Sequence, residues 1–324
     1  MQCRLPRRDF LRAIGAATAA TAAFSFPLKE LSAAGPRYPP MDLSYFDTPI
    51  SPVPGEIHFG YASITWNEND RQAIEDIAAL GFSGIQLRSN VLKEFTSAEE
   101  LRDLLEKHHL KMVALSSGGV NIDPAVEQEE IARHTEHAKF VRDVGGSYLQ
   151  VTDERPRDRA ITSADYTRLG KLLTEIGKRT ADLGVSLGYH NHMGTLGQRP
   201  KEVDMILEAA DPRYAKLELD VAHYFQGGGD PAKAIERYQD RLLFLHIKDV
   251  ESLPNAENPK HDYRFVELGR GRVDLPGVFD ALHKVNFRGW GIVELDAVPD
   301  KSRTPKECAE ISKKYLEEKL KVTV

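Results

Sequence analysis

Apolar residues fall along this chain in two alternating patterns. Short runs rich in Val, Ile, Leu and aromatic residues recur at 58–66, 84–88, 111–116, 148–152, 185–192, 215–221, 242–248 and 291–295. Between them lie longer stretches in which apolar positions return every three or four residues. Leu101, Leu104, Leu105 and His108 form one such stripe, and Tyr166, Leu169, Leu172, Leu173 and Ile176 another. Short apolar runs read as strands covered on both faces, and the longer period reads as amphipathic helix. Helices are expected at 69–80, from 97 onward, and at 124–144, 163–183, 200–210, 231–240, 276–285 and 304–320. Gly81, Gly145 and Gly184 each stand just before a strand, where a helix end tolerates a left-handed residue. Strict alternation in eight units predicts an α/β protein with a single-domain (β/α)8 TIM barrel over residues 57–324. An open doubly wound sheet is the competing architecture, but no Gly-x-Gly-x-x-Gly follows the first strand.

Two segments stand outside this pattern and one interrupts it. Arg7-Arg8-Asp9-Phe10-Leu11-Arg12 is a twin-arginine pattern, followed by a small-residue apolar run and then Ser32-Ala33-Ala34. Residues 1–34 are therefore expected to be a cleaved twin-arginine signal peptide, with the mature protein exported or periplasmic. The apolar run falls short of the ~20 residues that span a bilayer, so no membrane insertion of the mature protein is expected. Residues 35–56 carry six prolines and neither period, which predicts an extended strap or linker. The stretch 250–274 is long for a connection, and its place after the seventh strand predicts a cover over the substrate.

Removal of residues 1–34 takes away five basic and two acidic side chains and moves the net charge from −6 to −9. Such a surface repels phosphate backbones and argues against a nucleic-acid partner. Cys3 leaves with the signal and Cys308 remains alone, so no intramolecular disulfide is expected in the mature chain.

The last four strands end in residues that a buried strand does not need. The ends read Tyr189-His190-Asn191-His192, Glu218-Leu219-Asp220 with His223 behind, Leu245-His246-Ile247-Lys248-Asp249, and Val293-Glu294-Leu295-Asp296. In a (β/α)8 barrel the C-terminal mouth is where chemistry sits. His190 or His192 together with Asp220, His246 and Glu294 gives two imidazoles and two carboxylates. That donor set suits one divalent ion such as Mn, Co, Fe or Zn. Strand alternation puts His190 and His192 on one side and leaves either as the ligand. Glu218 reads as a residue of the barrel's inner layers. Lys248, His223, His192 and Glu294 are candidate acids or bases. A lysine beside a cation is expected to have its pKa lowered, unless Lys248 instead forms an ion pair with Asp249 or Asp220. Trp66, Arg88, His192, His223 and Lys248 are candidate substrate contacts, with Trp66 as an apolar wall and Gln86 as a further hydroxyl-binding group.

These segments resemble those of the sugar phosphate isomerase/epimerase superfamily, with its xylose isomerase-like TIM barrel. The nearest likeness is to inosose dehydratases. It rests on Trp66-Asn67-Glu68-Asn69-Asp70, Tyr189-His190-Asn191-His192-Met193-Gly194-Thr195, Asp220-Val221-Ala222-His223, His246-Ile247-Lys248-Asp249-Val250, and Gly289-Trp290 through Glu294. The likeness spans 57–296. It implies one divalent metal ion held by His190, Asp220, His246 and Glu294, with His192 then beside the ligands or on the substrate. It implies a small-molecule carbohydrate substrate and proton removal next to a carbonyl. The superfamily's two-base epimerases carry a glutamate where this chain has His190, which favours a lyase or dehydratase acting on a keto-sugar, keto-glycoside or keto-cyclitol. A sugar isomerase or epimerase is the alternative. An apurinic endonuclease-like phosphodiesterase would want a basic face and more metal ligands, and a non-catalytic sugar-binding barrel has no use for four.

Overall fold

The computed structural model describes residues 57–253 and 262–324. The expected signal at 1–34 and strap at 35–56 lie outside those residues. Eight parallel strands close into a barrel: β1 Ile57–Ala62, β2 Gly84–Arg88, β3 Lys111–Asn121, β4 Tyr148–Glu154, β5 Ser186–His190, β6 Ala215–Asp220, β7 Leu242–Ile247 and β10 Gly289–Val293. Neighbouring strands follow chain order round the wall, and β10 closes onto β1. The helices between them are α1 Asp70–Ala79, α2 Val91–Glu94, α3 Ala98–Lys107, α4 Glu127–Val144, α5 Ser163–Ala181, α6 Pro200–Ala209, α7 Val221–Gln226, α8 Pro231–Arg237, α9 Leu275–Lys284 and α10 Pro305–Glu318. No helix of the described residues is long and apolar enough to cross a membrane.

The large core fills the layer between strands and helices, where Ile74, Ile77, Leu101, Leu169, Leu173 and Ile176 are fully buried. A smaller cluster, including Val113, Phe244, Trp290 and Ile292, packs on the other face of the strands, inside the barrel. Gly84 makes room for it, since a Cβ there would stand 2.4 Å from the Trp290 ring. Burying a side chain of this size contributes about 1.5–3 kcal/mol, and the cost is shared between two faces of every strand.

Four elements depart from the sequence expectation. The first strand stops at Ala62, and Ser63–Trp66 winds into a 3-10 turn closed by Asn67 in the left-handed region at φ 50°. The fifth stops at His190, because Asn191 turns its amide onto the neighbouring strand: its Oδ1 accepts from Asp220 N at 3.0 Å, and its Nδ2 donates to Asp220 O at 3.1 Å. The third runs on to Asn121 through an irregularity between Ser116 and Gly119. The long connection after β7 holds an antiparallel hairpin, β8 Asp249–Ser252 with β9 Tyr263–Val266.

Asp249 organises that connection. It is 1% exposed, and its carboxylate accepts from the amides of Val250, Gly269, Gly271 and Val273 at 2.9–3.1 Å. A carboxylate given four backbone donors is saturated, so of the two ion-pair partners offered to Lys248 as an alternative, Asp249 is not used, whereas Asp220 lies 3.8 Å from its Nζ.

Candidate metal centre

Strand register brings the expected ligands to one level of the barrel mouth. Asp220 pairs with His246 across β6 and β7, and His246 with Ile292 across β7 and β10. His190 ends β5 opposite Glu218. Glu294 follows the end of β10, with its amide donating to Ile247 O at 3.2 Å. His190, Asp220, His246 and Glu294 are all buried, at 8% exposure or less.

The inward nitrogens can be assigned from their neighbours. His246 Nε2 faces two acceptors, Gln86 Oε1 at 2.9 Å and Glu218 Oε1 at 2.7 Å, so it carries the proton. Its Nδ1 looks toward Glu294 Oε1 at 3.3 Å and Asp220 Oδ2 at 3.6 Å. Burial pushes the ring's pKa down, but the charges of Glu218 and Glu294 outweigh burial and hold it well above its ordinary value, so Nδ1 is the atom where a metal ion would replace a proton. His190 Nδ1 lies 3.3 Å from Glu218 Oε1, which leaves Nε2 turned to the mouth. Metal-binding imidazoles are regularly held this way, by a carboxylate on the nitrogen that does not ligate. Asp220 is fixed by its other oxygen, Oδ1, which caps α7 by accepting from His223 N at 2.7 Å.

A cation fits the donor set. His246 Nδ1 and Asp220 Oδ2 are buried without a hydrogen-bond partner. One nitrogen each of His190 and His246 and one oxygen of Asp220 lie within 4.8 Å of one another. Lone pairs that converge in a dry pocket repel unless a cation stands among them. Asp220, Glu294 and Asp296 meet one buried ammonium, Lys248, and Glu218 adds a further carboxylate behind His190 and His246, so the carboxylates of the pocket outnumber its cations.

Lys248 corrects one expectation. Its Nζ donates to Asp296 Oδ1 at 2.5 Å and Glu294 Oε1 at 2.9 Å, with Asp220 Oδ2 at 3.8 Å. Burial pushes its pKa down, but the charges of Asp296, Glu294 and Asp220 outweigh burial and hold it above its ordinary value. Lys248 is a charged donor here, not a base poised near neutrality.

The remaining histidines differ in their partners. His192 lies beyond β5, and its Nδ1 donates to Met193 O at 2.7 Å, leaving Nε2 as an acceptor. Burial, followed by the charges of His190 and Lys248, pushes it down to about 4, so it is neutral. His223 meets a donor on each side, with Met193 N 3.2 Å from its Nδ1 and Lys248 Nζ 3.4 Å from its Nε2. A second group, His190 with His192 and His223, has ligand atoms equally close together, but it contains no carboxylate and the Lys248 ammonium already stands against His223 Nε2. The set with Asp220 and His246 is the better fit.

Trp66 and Gln86 differ from expectation. Trp66 is 6% exposed, sits edge-on to Tyr61 and donates its indole N–H to Asp76 on α1 at 2.9 Å, so it packs in the core and offers no free wall. Gln86 is 2% exposed and holds His246 in place of a substrate hydroxyl. Arg88, at the end of β2, lines a separate part of the mouth with Ser116 and His137. The sequence reading missed Phe265 of the hairpin. Its ring lies 4.0 Å from Lys248 Nζ and packs against the edge of His223 at 4.7 Å. Its spacing of two from Tyr263 was the available signal, because β9 turns both rings to one side.

Known proteins resemble this chain in sequence and in fold. An inosose dehydratase from Lacticaseibacillus casei is 28% identical over 81% of this chain and 96% of its own length. One from Geobacillus kaustophilus is 26% identical over 80% and 93%. The crystal structure of the IOLI protein with a binding zinc atom superposes with a TM-score of 0.70 at 20% identity, covering 81% of this chain and 97% of that one. The profile of the xylose isomerase-like TIM barrel matches residues 74–318, and the chain belongs to that family.

Proposed function

We propose that the protein is a divalent metal-dependent lyase or dehydratase that removes a proton α to a ketone of a keto-sugar, keto-glycoside or keto-cyclitol and expels a β-oxygen group. The observation that carries this reading is the placement of Lys248. A buried ammonium rests on Glu294 and Asp220, while the strand-five position holds His190. Epimerisation at one carbon needs a base and a donor on opposite faces. Elimination needs one base and an acid for the departing oxygen. Similarity to inosose dehydratases over most of both chains supports the same choice.

His190, Asp220, His246 and Glu294 would hold the ion. When bound, a divalent ion supplies Lewis-acid polarisation of a carbonyl oxygen. Zinc fits, since the IOLI structure contains it, and Mn, Co and Fe share the donor preference. The neutral His192, with Nε2 free, takes the proton from the α-carbon. The electron pair of that C–H bond becomes the carbon–carbon double bond, and the β-carbon–oxygen bond breaks. Lys248 gives the departing oxygen its proton; the proton taken by His192 passes to solvent, and Lys248 regains one from solvent, its charged form favoured by its carboxylate neighbours. His223 lies beside Lys248 to contact the substrate, and Phe265 closes one side against water.

Incubation of metal-loaded protein with an inosose or a 3-keto-glycoside in D2O tests this reading. The expected product is an unsaturated ketone with the β-oxygen group released. Clean conversion to an epimer or an aldose–ketose pair would assign the chain to the isomerases instead. The twin-arginine pattern supports action outside the cytoplasm. Arg7→Lys with Arg8→Lys is expected to retain the protein in the cytoplasm, and unchanged export would reject that placement.

A further inference from the structure

The barrel mouth continues away from the metal centre into a cavity of about 830 Å³ beside the ends of β2 and β3. Its lining includes Arg88, Ser89, Asn90, Ser116, Gly118 and His137, and Leu92 is the one apolar side chain on it among the described residues. Arg88 and Ser116 are register partners at the top of the barrel wall, and Gln86, two residues earlier on β2, touches His246. The cavity and the metal centre are thus approached from positions two residues apart along β2. Arg88 is half-buried and has no hydrogen-bond or ion-pair partner among the described residues.

A hydrogen-bonded chain behind this cavity dictates what His137 presents to it. Ser117 Oγ lies 2.6 Å from His134 Nδ1 and 2.7 Å from His137 Nδ1. His134 is fully buried, and its Nε2 faces Glu130 Oε2 at 3.6 Å. Burial pushes Glu130 up, but His134, Arg133 and the Asn121 amide outweigh it and bring it to about 2. An ionised carboxylate only accepts, so His134 carries its proton on Nε2, although the contact is long for a hydrogen bond. His134 Nδ1 is then an acceptor, and the Ser117 hydroxyl donates to it. Ser117 Oγ in turn accepts from His137 Nδ1–H. Burial, and after it the charges of His134 and Arg133, push His137 down to about 4, so its ring is neutral. Every polarity along the chain is thereby set, and His137 shows its cavity an Nε2 lone pair.

We propose that this cavity is a second sugar subsite, in which His137 Nε2 accepts from one hydroxyl and Arg88 donates to another oxygen of a ring remote from the ketone. The inference rests on the function proposed above and narrows its substrate class. A single keto-cyclitol ring fills the metal centre, whereas a keto-disaccharide fills both. Cavities of 300–1,000 Å³ suit ligands of that larger size, and a neutral acceptor beside a guanidinium with little apolar surface suits hydroxyls better than an aryl ring. Ser117, His134 and Glu130 are positioning residues that act through His137.

The test compares kcat/KM for 3-keto-trehalose and for 3-keto-glucose, in the unaltered full-length protein and in His137→Ala. The disaccharide is expected to be preferred by at least about tenfold, the worth of one or two well-formed hydrogen bonds. In His137→Ala the ratio is expected to collapse toward one, mostly through KM. Ser117→Ala is the second variant, and it lowers the ratio without removing the ring that lines the cavity. Equal kcat/KM for the two ketones in the unaltered protein, or a preference that survives His137→Ala, overturns the subsite. Should neither ketone react, the proposed reaction fails by itself, and calorimetric binding of 3-keto-trehalose against 3-keto-glucose still decides the subsite by the same ratio. Nitrogen-15 spectra of the resting protein provide a readout free of substrate: His137 protonated at Nδ1 is expected, and protonation at Nε2 contradicts the chain.

Discussion

Two histidine clusters sit at the same end of this barrel, and their inward atoms are treated in opposite ways. Around His190 and His246, Nδ1 of His246 and Oδ2 of Asp220 are buried without hydrogen-bond partners. Around His134 and His137, both Nδ1 atoms share one hydroxyl, and Glu130 is shared among Arg133, the Asn121 amide and His134. The second cluster is held by protein groups, with His134 Nε2 left at a long 3.6 Å from Glu130. The first carries convergent lone pairs and an excess of carboxylate, an arrangement that a cation stabilises. Counting histidines does not separate a metal centre from a hydrogen-bonded relay, but following each proton does.

The largest separation between the clusters is expected from Lys248. Lys248→Met keeps the length of the side chain and removes the proton donor, and kcat is expected to fall by roughly 10²–10⁴-fold with the metal retained. A fall below tenfold would remove Lys248 from the chemistry. Glu218→Gln comes next. It leaves His190 and His246 in place but weakens their orientation, so metal affinity is expected to drop about 10–100-fold in a competition titration. An unchanged affinity would return Glu218 to a role in barrel packing alone.

Phe265→Ala removes the ring over Lys248 and the wall against His223. KM is expected to rise by ~5-fold, in line with a partly buried cation–π contact and lost apolar cover, and kcat by contrast should change less. The smallest effect is in the relay. His137 is held near 4 in the fold and returns to its ordinary value near 6.5 on unfolding, so the unfolded chain binds more protons between those values. Stability therefore falls as pH drops from 6.5 toward 4. In His137→Asn the loss of melting temperature across that window is expected to be shallower, and an identical slope would contradict a neutral His137.

The eight strands were legible because each is apolar on two faces and is punctuated by a helix. The four candidate ligands were legible because polar residues at successive strand ends have no packing reason to be there. Other features were set by groups distant in sequence. The Tyr189-His190-Asn191-His192 segment reads as continuous strand, yet Asn191 pairs with the backbone of Asp220 and takes His192 out of the ladder. Glu218 looks like interior filling until its register with His190 and its contact with His246 are known. The pKa direction of Lys248 depended on Asp296, which lies 48 residues away and meets it only across the closed mouth. Trp66 follows a strand in the sequence, but the turn at Ser63–Trp66 points its indole to Asp76. His134 and His137 are visibly one turn apart on a helix, whereas the hydroxyl that joins them comes from β3.

Metal content of the folded protein tests the difference between the clusters most directly. Purified protein and the variants His246→Ala and His137→Ala would each be saturated with zinc or manganese, desalted and analysed for bound metal, with circular dichroism to show that the barrel is intact. The expected result is one ion per chain in the unaltered protein and in His137→Ala, and none in His246→Ala. Full occupancy in His246→Ala, or loss of the ion in His137→Ala, would contradict the assignment of the metal to His190, Asp220, His246 and Glu294.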